Sequence, residues 1–565
     1  MQRWQWGLVA LAVAGVAAVV LFALRDGTPH GTRNASRPPP AAVPAPPAAP
    51  AAAGASATSG ANASADLGFR PNKDGFSFEN YGNEGGIANL TDVELRRMFG
   101  DAACANLAKG RCKLTPAAKE WMQEVNDSMD GGHCEGLAVL SMLFFTKRAA
   151  PSDFGAPSVA ALHLEGNPKL QREIAYWYAL QEVDPTASSE VADQTPNQVV
   201  DRLALAFGAG KPAELFELGI YQPEFQNGHA ITPYRIVDRG RGRVAIAVYD
   251  SVFPGEERFV EVDRANNTWR YQASDDPAEK DALYEGDAAT KTLLLSPLAA
   301  RLQMHDCPFC GDADEAPAAD GRPPRRLQIL SRGQAHVTVT DEAGHVTGRQ
   351  GAALVNTIAG AVIVKLRGRN LRSDDREPMY AVPVGGAYQI TVDTSSLASD
   401  DHSAVTVVGP GLTFGVAELI LPPNQRDSLS VSKDRHTFGY KTAQAHSPEL
   451  TLGVTTPGAD YEFTLRSIGS AGGQTVVLHI DQQQRVLRLQ IQSVGGGASQ
   501  FALDIERIDD EDSELFSHAA IGLGAADVAV LRYGAWQGNG KAVALQIDVG
   551  GVGTQTRQVE LTDEE

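Results

Sequence analysis

From residue 327 to the C-terminus the chain shows almost no helical periodicity. It is instead a succession of short alternating runs: HVTVT, AVIVKL, YQITVD, AVTVV, YEFTLRS, TVVLHI, VLRLQIQ, FALDIERI and AVALQIDV. Side chains of a strand point alternately to its two faces, so each run offers one apolar face for burial. Repeated runs broken by Gly, Pro, Asp and Asn turns close most readily into layered antiparallel sheets. Two β-sandwich domains are expected, at 327–427 and 428–565, divided near PPNQRDS (Pro422 to Ser428).

The 565-residue chain is too long for one core, and residues 67–311 read differently. Helix signals come first. LTDVELRRMFG carries a capping box, Thr91 with Glu94, and a terminating Gly100. TPAAKEWMQEVNDSM begins with Thr115 as N-cap and Pro116 at the first helical position. Further helices are predicted over Pro168 to Glu182 and Pro196 to Phe207. The period then changes to two in HAITPYRIV, RVAIAVYD, RFVEVD and NTWRYQA, with Tyr234, Trp269 and Tyr271 as sheet core. The expected fold class is therefore an α+β domain, a helical half plus an antiparallel sheet, followed by all-β sandwich domains.

The N-terminus suits a membrane. Residues 7–24 carry no charge and are long enough to reach across a hydrocarbon core of about 30 Å, with Arg3 before the run and Arg25 after it. Residues 1–26 are expected to be a signal anchor, with a cleaved signal peptide as the alternative. Residues 27–66, rich in Pro, Ala, Gly and Ser, bury too little apolar surface to order themselves and read as a stalk. A second linker, DADEAPAADGRPPRR, covers residues 312–326. A stalk on an anchor fits a membrane-anchored, extracytoplasmic protein of the periplasm or cell surface. The net charge of −20, from 49 Lys and Arg against 69 Asp and Glu, excludes nucleic acid as a partner.

There are five cysteines. Cys104 and Cys112 enclose a short loop and can pair in an oxidising compartment, as can Cys307 and Cys310 of CPFC. CPFC has two alternatives, a redox pair or half of a zinc site. Cys134 is left over. In GGHCEGLAVLSMLFF, residues 131–145, the glycine pair permits a sharp turn and the apolar run can form a buried helix. Cys134 would then open that helix, where free N–H groups and the macrodipole favour a thiolate. Its neighbour His133 is expected to face solvent or line a cleft.

A base and its orienter are found downstream. QNGHAITPYRIVDRGRGRVAIAVYDS, residues 226–251, reads as two strands joined at RGRG. Pairing about Arg239 and Gly240 sets His229 opposite Asp250. The carboxylate would fix the imidazole tautomer and leave the other ring nitrogen for a nucleophile. Cys134, His229 and Asp250 thus follow in chain order as nucleophile, base and orienter.

That order, with a cysteine opening a long helix and the other two on adjacent strands, resembles the papain-like cysteine peptidases. Gly132-His133-Cys134-Glu135-Gly136 is similar to the surroundings of that nucleophile, Gly228-His229-Ala230 to those of the histidine, and Tyr249-Asp250 takes the third place. The motifs GGHCEG, GHA and YD also resemble a group of uncharacterised bacterial surface proteins. Transglutaminase-like and bacteriocin-processing relatives share the triad logic. The resemblance covers residues 67–311 and implies a papain-like fold and a Cys-His-Asp hydrolase that cleaves or transfers an acyl group of a protein or peptide substrate without a cofactor or metal. It also implies an oxyanion donor just upstream of the cysteine. Ser128 stands where the family often has glutamine, so Asn126 is the candidate, together with the Cys134 backbone N–H. The alternative is a non-catalytic surface binding or adhesion protein, whose β-rich region meets an envelope partner.

Overall fold

The computed structural model describes residues 65–564 apart from 108–109, 209–213, 277, 312–324, 369–376, 443, 467–472, 493–497, 537 and 539–540. The anchor at 1–26, the stalk up to residue 64 and most of the 312–326 linker therefore lie outside the described residues. Among those described, no helix is long and apolar enough to cross a membrane. Packing has begun by Ala65, inside the expected stalk: it is buried, and its carbonyl accepts from Ile236 N (2.8 Å).

Among the described residues, five longer helices precede or flank a sheet. Helix α1 (Asp92–Phe99) is closed by the expected capping box, with Thr91 accepting from Val93 N while its own N–H reaches Glu94 (3.0 Å). Helix α2 (Pro116–Ser128) is capped by Thr115, which accepts from Ala118 N (3.1 Å). Helix α3 (Cys134–Phe145) is buried along all but its last residue, as a helix apolar on every side must be. Gly132 makes its start possible. At φ 138° that residue takes a backbone conformation that side chains disfavour, and the chain turns there from the end of α2 into α3. Helix α4 (Pro168–Ala179) tightens into a 3₁₀ turn over Leu180–Glu182, and α5 (Pro196–Gly208) follows.

Seven antiparallel strands complete this half: β1 (Phe216–Gln222), β2 (Gln226–Gly240), β3 (Arg243–Tyr249), β4 (Arg258–Asp263), β5 (Thr268–Gln272), β6 (Leu283–Asp287) and β7 (Leu293–Pro297), in the order β6-β5-β4-β3-β2-β1-β7. Helix α5 covers one face, where Val199, Val200, Leu203 and Phe207 join Leu218, Ile231, Val248 and Val260 in one core. Helix α3 reaches the other face through small residues, with Cys134 and Ala138 against Ala230.

After a short helix, Leu298–Arg301, the described chain from Arg326 onward is all β apart from single 3₁₀ turns. One sheet has nine strands, from Val362–Val364 at one edge to Ser513–Leu523 at the other, and a second has eleven, from Ala353–Asn356 to Thr556–Leu561. One buried apolar cluster lies between them and runs from Leu327 to Leu561. The expected division near Pro422 to Ser428 interrupts neither sheet. Leu412–Leu421 pairs with Glu449–Thr456 in the first, and Tyr388–Asp393 with Arg426–Val431 in the second.

The two halves share a core despite the linker between them. Leu330, Val364, Met379, Ala381 and Val408 of the β-rich half are buried with Trp121, Val125 and Leu140 of the helices. Trp121 donates to Gln328 Oε1 (2.8 Å), Thr406 to Glu124 (2.8 Å), and Lys119 pairs with Glu462 (2.8 Å). Helix α2 is therefore a strut laid across the nine-stranded sheet.

Candidate active site

Both expected disulfides are present, Cys104–Cys112 and Cys307–Cys310, and suit an oxidising, extracytoplasmic compartment. CPFC lies in a bend and not at a helix start. It packs Phe309 against both Phe99 (5.2 Å between ring centroids) and Trp121 (5.8 Å), which is a structural task. Cys134 is the one free thiol and is buried.

Cys134 occupies the first position of α3, where backbone N–H groups have no intrahelical acceptor. Its Sγ accepts from Ala230 N (3.4 Å) and is hydrogen-bonded to the His229 ring. The other ring nitrogen, Nε2, meets Asp250 Oδ1 at 2.8 Å. The carboxylate can only accept, so Nε2 carries the proton and Nδ1 is left for the thiol.

The hairpin reaches this geometry by a different register from the one the sequence suggests. The turn residues are Arg241 and Gly242, and β2 carries two irregularities, between Pro233 and Arg235 and between Asp238 and Gly240. Thr232 pairs with Tyr249, which sets Asp250 two residues out of direct opposition to His229. Two is an even slip, so both side chains keep the same face and meet diagonally.

Asp250 is held on three sides, by His229, by Val252 N (2.9 Å) and by the Tyr271 hydroxyl on its Oδ2 (2.5 Å). Tyr271 is thus part of the site and not only sheet core. The alternation of β5 places it at an inward position, but only the order β5-β4-β3 brings its hydroxyl to a residue at the end of β3. Burial by itself would raise Asp250, yet the His229 charge and these hydrogen bonds hold it below its usual range. Burial would likewise lower His229, but Asp250 and Cys134 outweigh it and hold the imidazole well above its ordinary value.

The signs follow from these directions. The stabilisation from His229 is complete below about pH 6.5 and is lost as pH rises through its folded value. That from Asp250 is present above about pH 3.9 and is lost as pH falls through its folded value. Tyr271→Phe removes a hydrogen bond to a buried carboxylate and should cost about 1.5–3 kcal/mol in urea unfolding. A cost below about 0.5 kcal/mol would show that Asp250 is satisfied without it.

Other residues near Cys134 depart from expectation. His133 is fully buried, stacked on Tyr81 (4.2 Å), with Nδ1 at Tyr81 O (2.7 Å) and Nε2 at Asn89 Oδ1 (2.9 Å). Burial pushes it down to about 4, so it is a neutral structural link and does not line a cleft. Asn126 spends its amide on Leu90, accepting from its N–H (2.9 Å) and donating to its carbonyl (3.0 Å), which ties down the loop before α1 instead of serving an oxyanion. The remaining donor from the expected set is the Cys134 backbone N–H. Glu135 is fully buried and paired with Arg301 of the short helix Leu298–Arg301 after β7 and with Arg367 of the β-rich half (2.8 Å). Comparison with protein-family models, curated proteins and solved structures returns no match for the chain.

Proposed function

We propose that the chain is a papain-like cysteine hydrolase or acyl transferase that acts on proteins or peptides outside the cytoplasm, held to the membrane by residues 1–26. The observation that carries this reading is the continuous chain of contacts from Cys134 Sγ through His229 to Asp250, all buried, with the tautomer fixed by Asp250.

In this reading the Cys134 thiolate attacks the acyl carbon. The carbonyl oxygen takes up charge beside the free N–H groups at the start of α3. As the bond to the leaving amine breaks, the His229 imidazolium gives up its proton to that nitrogen. His229 then accepts a proton from water, or from an acceptor amine, as it attacks the thioester, and the thiolate is regenerated. Asp250 stays ionised throughout and supports the imidazolium.

The test is to incubate a mixed peptide pool with the native chain and with Cys134→Ala, and to count new amino termini by mass spectrometry. Cleavage or transpeptidation by the native chain alone is expected. Equal products, or none, from both would leave the β-rich half as the functional part, in a surface binding protein.

A further inference from the structure

The nucleophile is covered by the chain itself. Strand Val362–Val364 is the edge of the nine-stranded sheet, and the four residues after it, Lys365 to Gly368, leave that sheet and cross to the catalytic half. Their backbone is held there as a bound peptide would be. The Lys365 carbonyl accepts from Tyr221 OH (3.0 Å). Arg367 N–H donates to Gln181 Oε1 (2.8 Å), and the Gly368 N–H donates to the carbonyl of Gly228 (3.3 Å). Gly228 immediately precedes His229. A Cβ on Gly368 would lie 3.2 Å from the carbonyl of Gly132, two residues before Cys134, and a Cβ on Gly228 would lie 2.2 Å from that of Leu366. Leu366-Arg367-Gly368 therefore runs between the two glycine-lined segments that carry the nucleophile and the base.

Its side chain fills a built pocket. The Arg367 guanidinium, almost fully buried, pairs with Glu135 (2.8 Å), Glu190 (2.6 Å) and Glu217 (3.5 Å), and donates to Tyr221 OH (3.0 Å). Its stem lies on Gly219, where a Cβ would come within 2.9 Å of Arg367 Cδ. Lys365 pairs with Glu190 as well (3.3 Å). Without this segment, Glu135 and Glu217 would share the cation Arg301 and Glu190 would lose both Lys365 and Arg367, and neither oxygen of Glu217 has a hydrogen-bond partner among the described residues even with the segment in place. Buried carboxylates in such excess demand a cation. A planar guanidinium that can serve several of them at once meets that demand better than a point charge.

We propose that Leu366-Arg367-Gly368 occupies the acyl-binding cleft as a built-in pseudo-substrate, and that the pocket of Glu135, Glu190 and Glu217 selects an arginyl-glycine sequence in the substrate. The proposal rests on the reading of Cys134 as nucleophile for the word substrate, but not for the binding itself. An incoming peptide must displace the segment and supply a guanidinium in its place. The protein as folded is thus latent, and its own sequence states what opens it.

The test uses the full chain and iodoacetamide at about pH 9, above the ordinary thiol value near 8.5, so that labelling reads access and not activation. The four disulfide-bonded cysteines do not compete. Arg367→Ala and Gly368→Val should each label Cys134 at least about tenfold faster than the native chain, by intact mass, because the cover opens more often. Gly368→Val changes no charge, so it reads displacement even where Arg367→Ala disturbs folding. In the opened variants, excess acetyl-Leu-Arg-Gly-amide should protect Cys134, and the same peptide with citrulline for arginine should not. Equal labelling in the native chain and Gly368→Val, or equal protection by the two peptides, would overturn the proposal. Protection without cleavage would leave the pocket standing and sink the hydrolase; cleavage of peptides without arginine would do the reverse.

Discussion

At about pH 6.5 the native chain should alkylate at Cys134 about 100-fold faster than the His229→Ala variant, once each rate is normalised to its own value well above pH 9. An unassisted thiol with a value near 8.5 is only about 1% thiolate two units lower. In the native site Asp250 and Cys134 hold the imidazole well above its ordinary value, and a charged ring beside a sulfur favours the thiolate. Normalisation cancels the cover over the site, because Lys365 to Gly368 restricts access in both proteins. Asp250→Asn keeps an acceptor for Nε2 but loses the charge, and an opposite charge at this range is worth about one to three pKa units. Its reactivity at pH 6.5 should fall between the two. Parallel curves rising only towards pH 8.5 in native and His229→Ala alike would mean an ordinary thiol, and the catalytic reading would go. Turnover, as distinct from alkylation, should also decline on the alkaline side, since the leaving group takes its proton from His229. That decline should lie above the ordinary imidazole range, in keeping with the upward shift of His229.

Trp121→Ala should destabilise the folded chain by about 3–5 kcal/mol, the usual cost of removing a large aromatic from a packed interior. Trp121 has no exposed surface and stands edge-on to Phe99 (5.5 Å) on α2. Its Nε1 is satisfied by Gln328 of the nine-stranded sheet, so its loss leaves both a void and an unpaired amide oxygen on the other side. The same change should loosen the two halves together, because Trp121 belongs to the core that they share. Urea unfolding followed by far-ultraviolet dichroism measures it. A loss under about 1 kcal/mol would show that α2 is not the strut described above.

Much of the local structure was legible because local chemistry suffices for it. Thr91 with Glu94, and Thr115 with Pro116, satisfy helix-end N–H groups within one turn, and α1 and α2 begin where those residues place them. The start of α3 at Cys134 follows from Gly132, which without a side chain accepts the positive φ required. The odd cysteine also stood out by counting, since the near-neighbour pairs close short loops and leave Cys134 alone. His229 and Asp250 could be paired because hairpin strands alternate with period two. The two irregularities in β2 moved the register by an even number, so the faces matched although the partners did not.

What the sequence could not supply depends on strands and segments that are distant in the chain. Tyr271 reads as one more core aromatic until β5 is laid two strands from β3, when its hydroxyl meets Asp250. His133, beside Cys134, reads as a cleft residue, but Tyr81 and Asn89 enclose it from a loop some fifty residues earlier. AVIVKL reads as a strand to its end, since Lys365 and Leu366 continue the alternation. The strand stops at Val364 because a stronger demand lies outside the sheet: the buried carboxylates Glu135 and Glu217 and the half-buried Glu190 in the other half draw Arg367 across and carry Lys365 to Gly368 with it. Periodicity and caps are short-range and act before the chain is folded. Charge compensation in a buried pocket exists only after folding, and here it decided what covers Cys134.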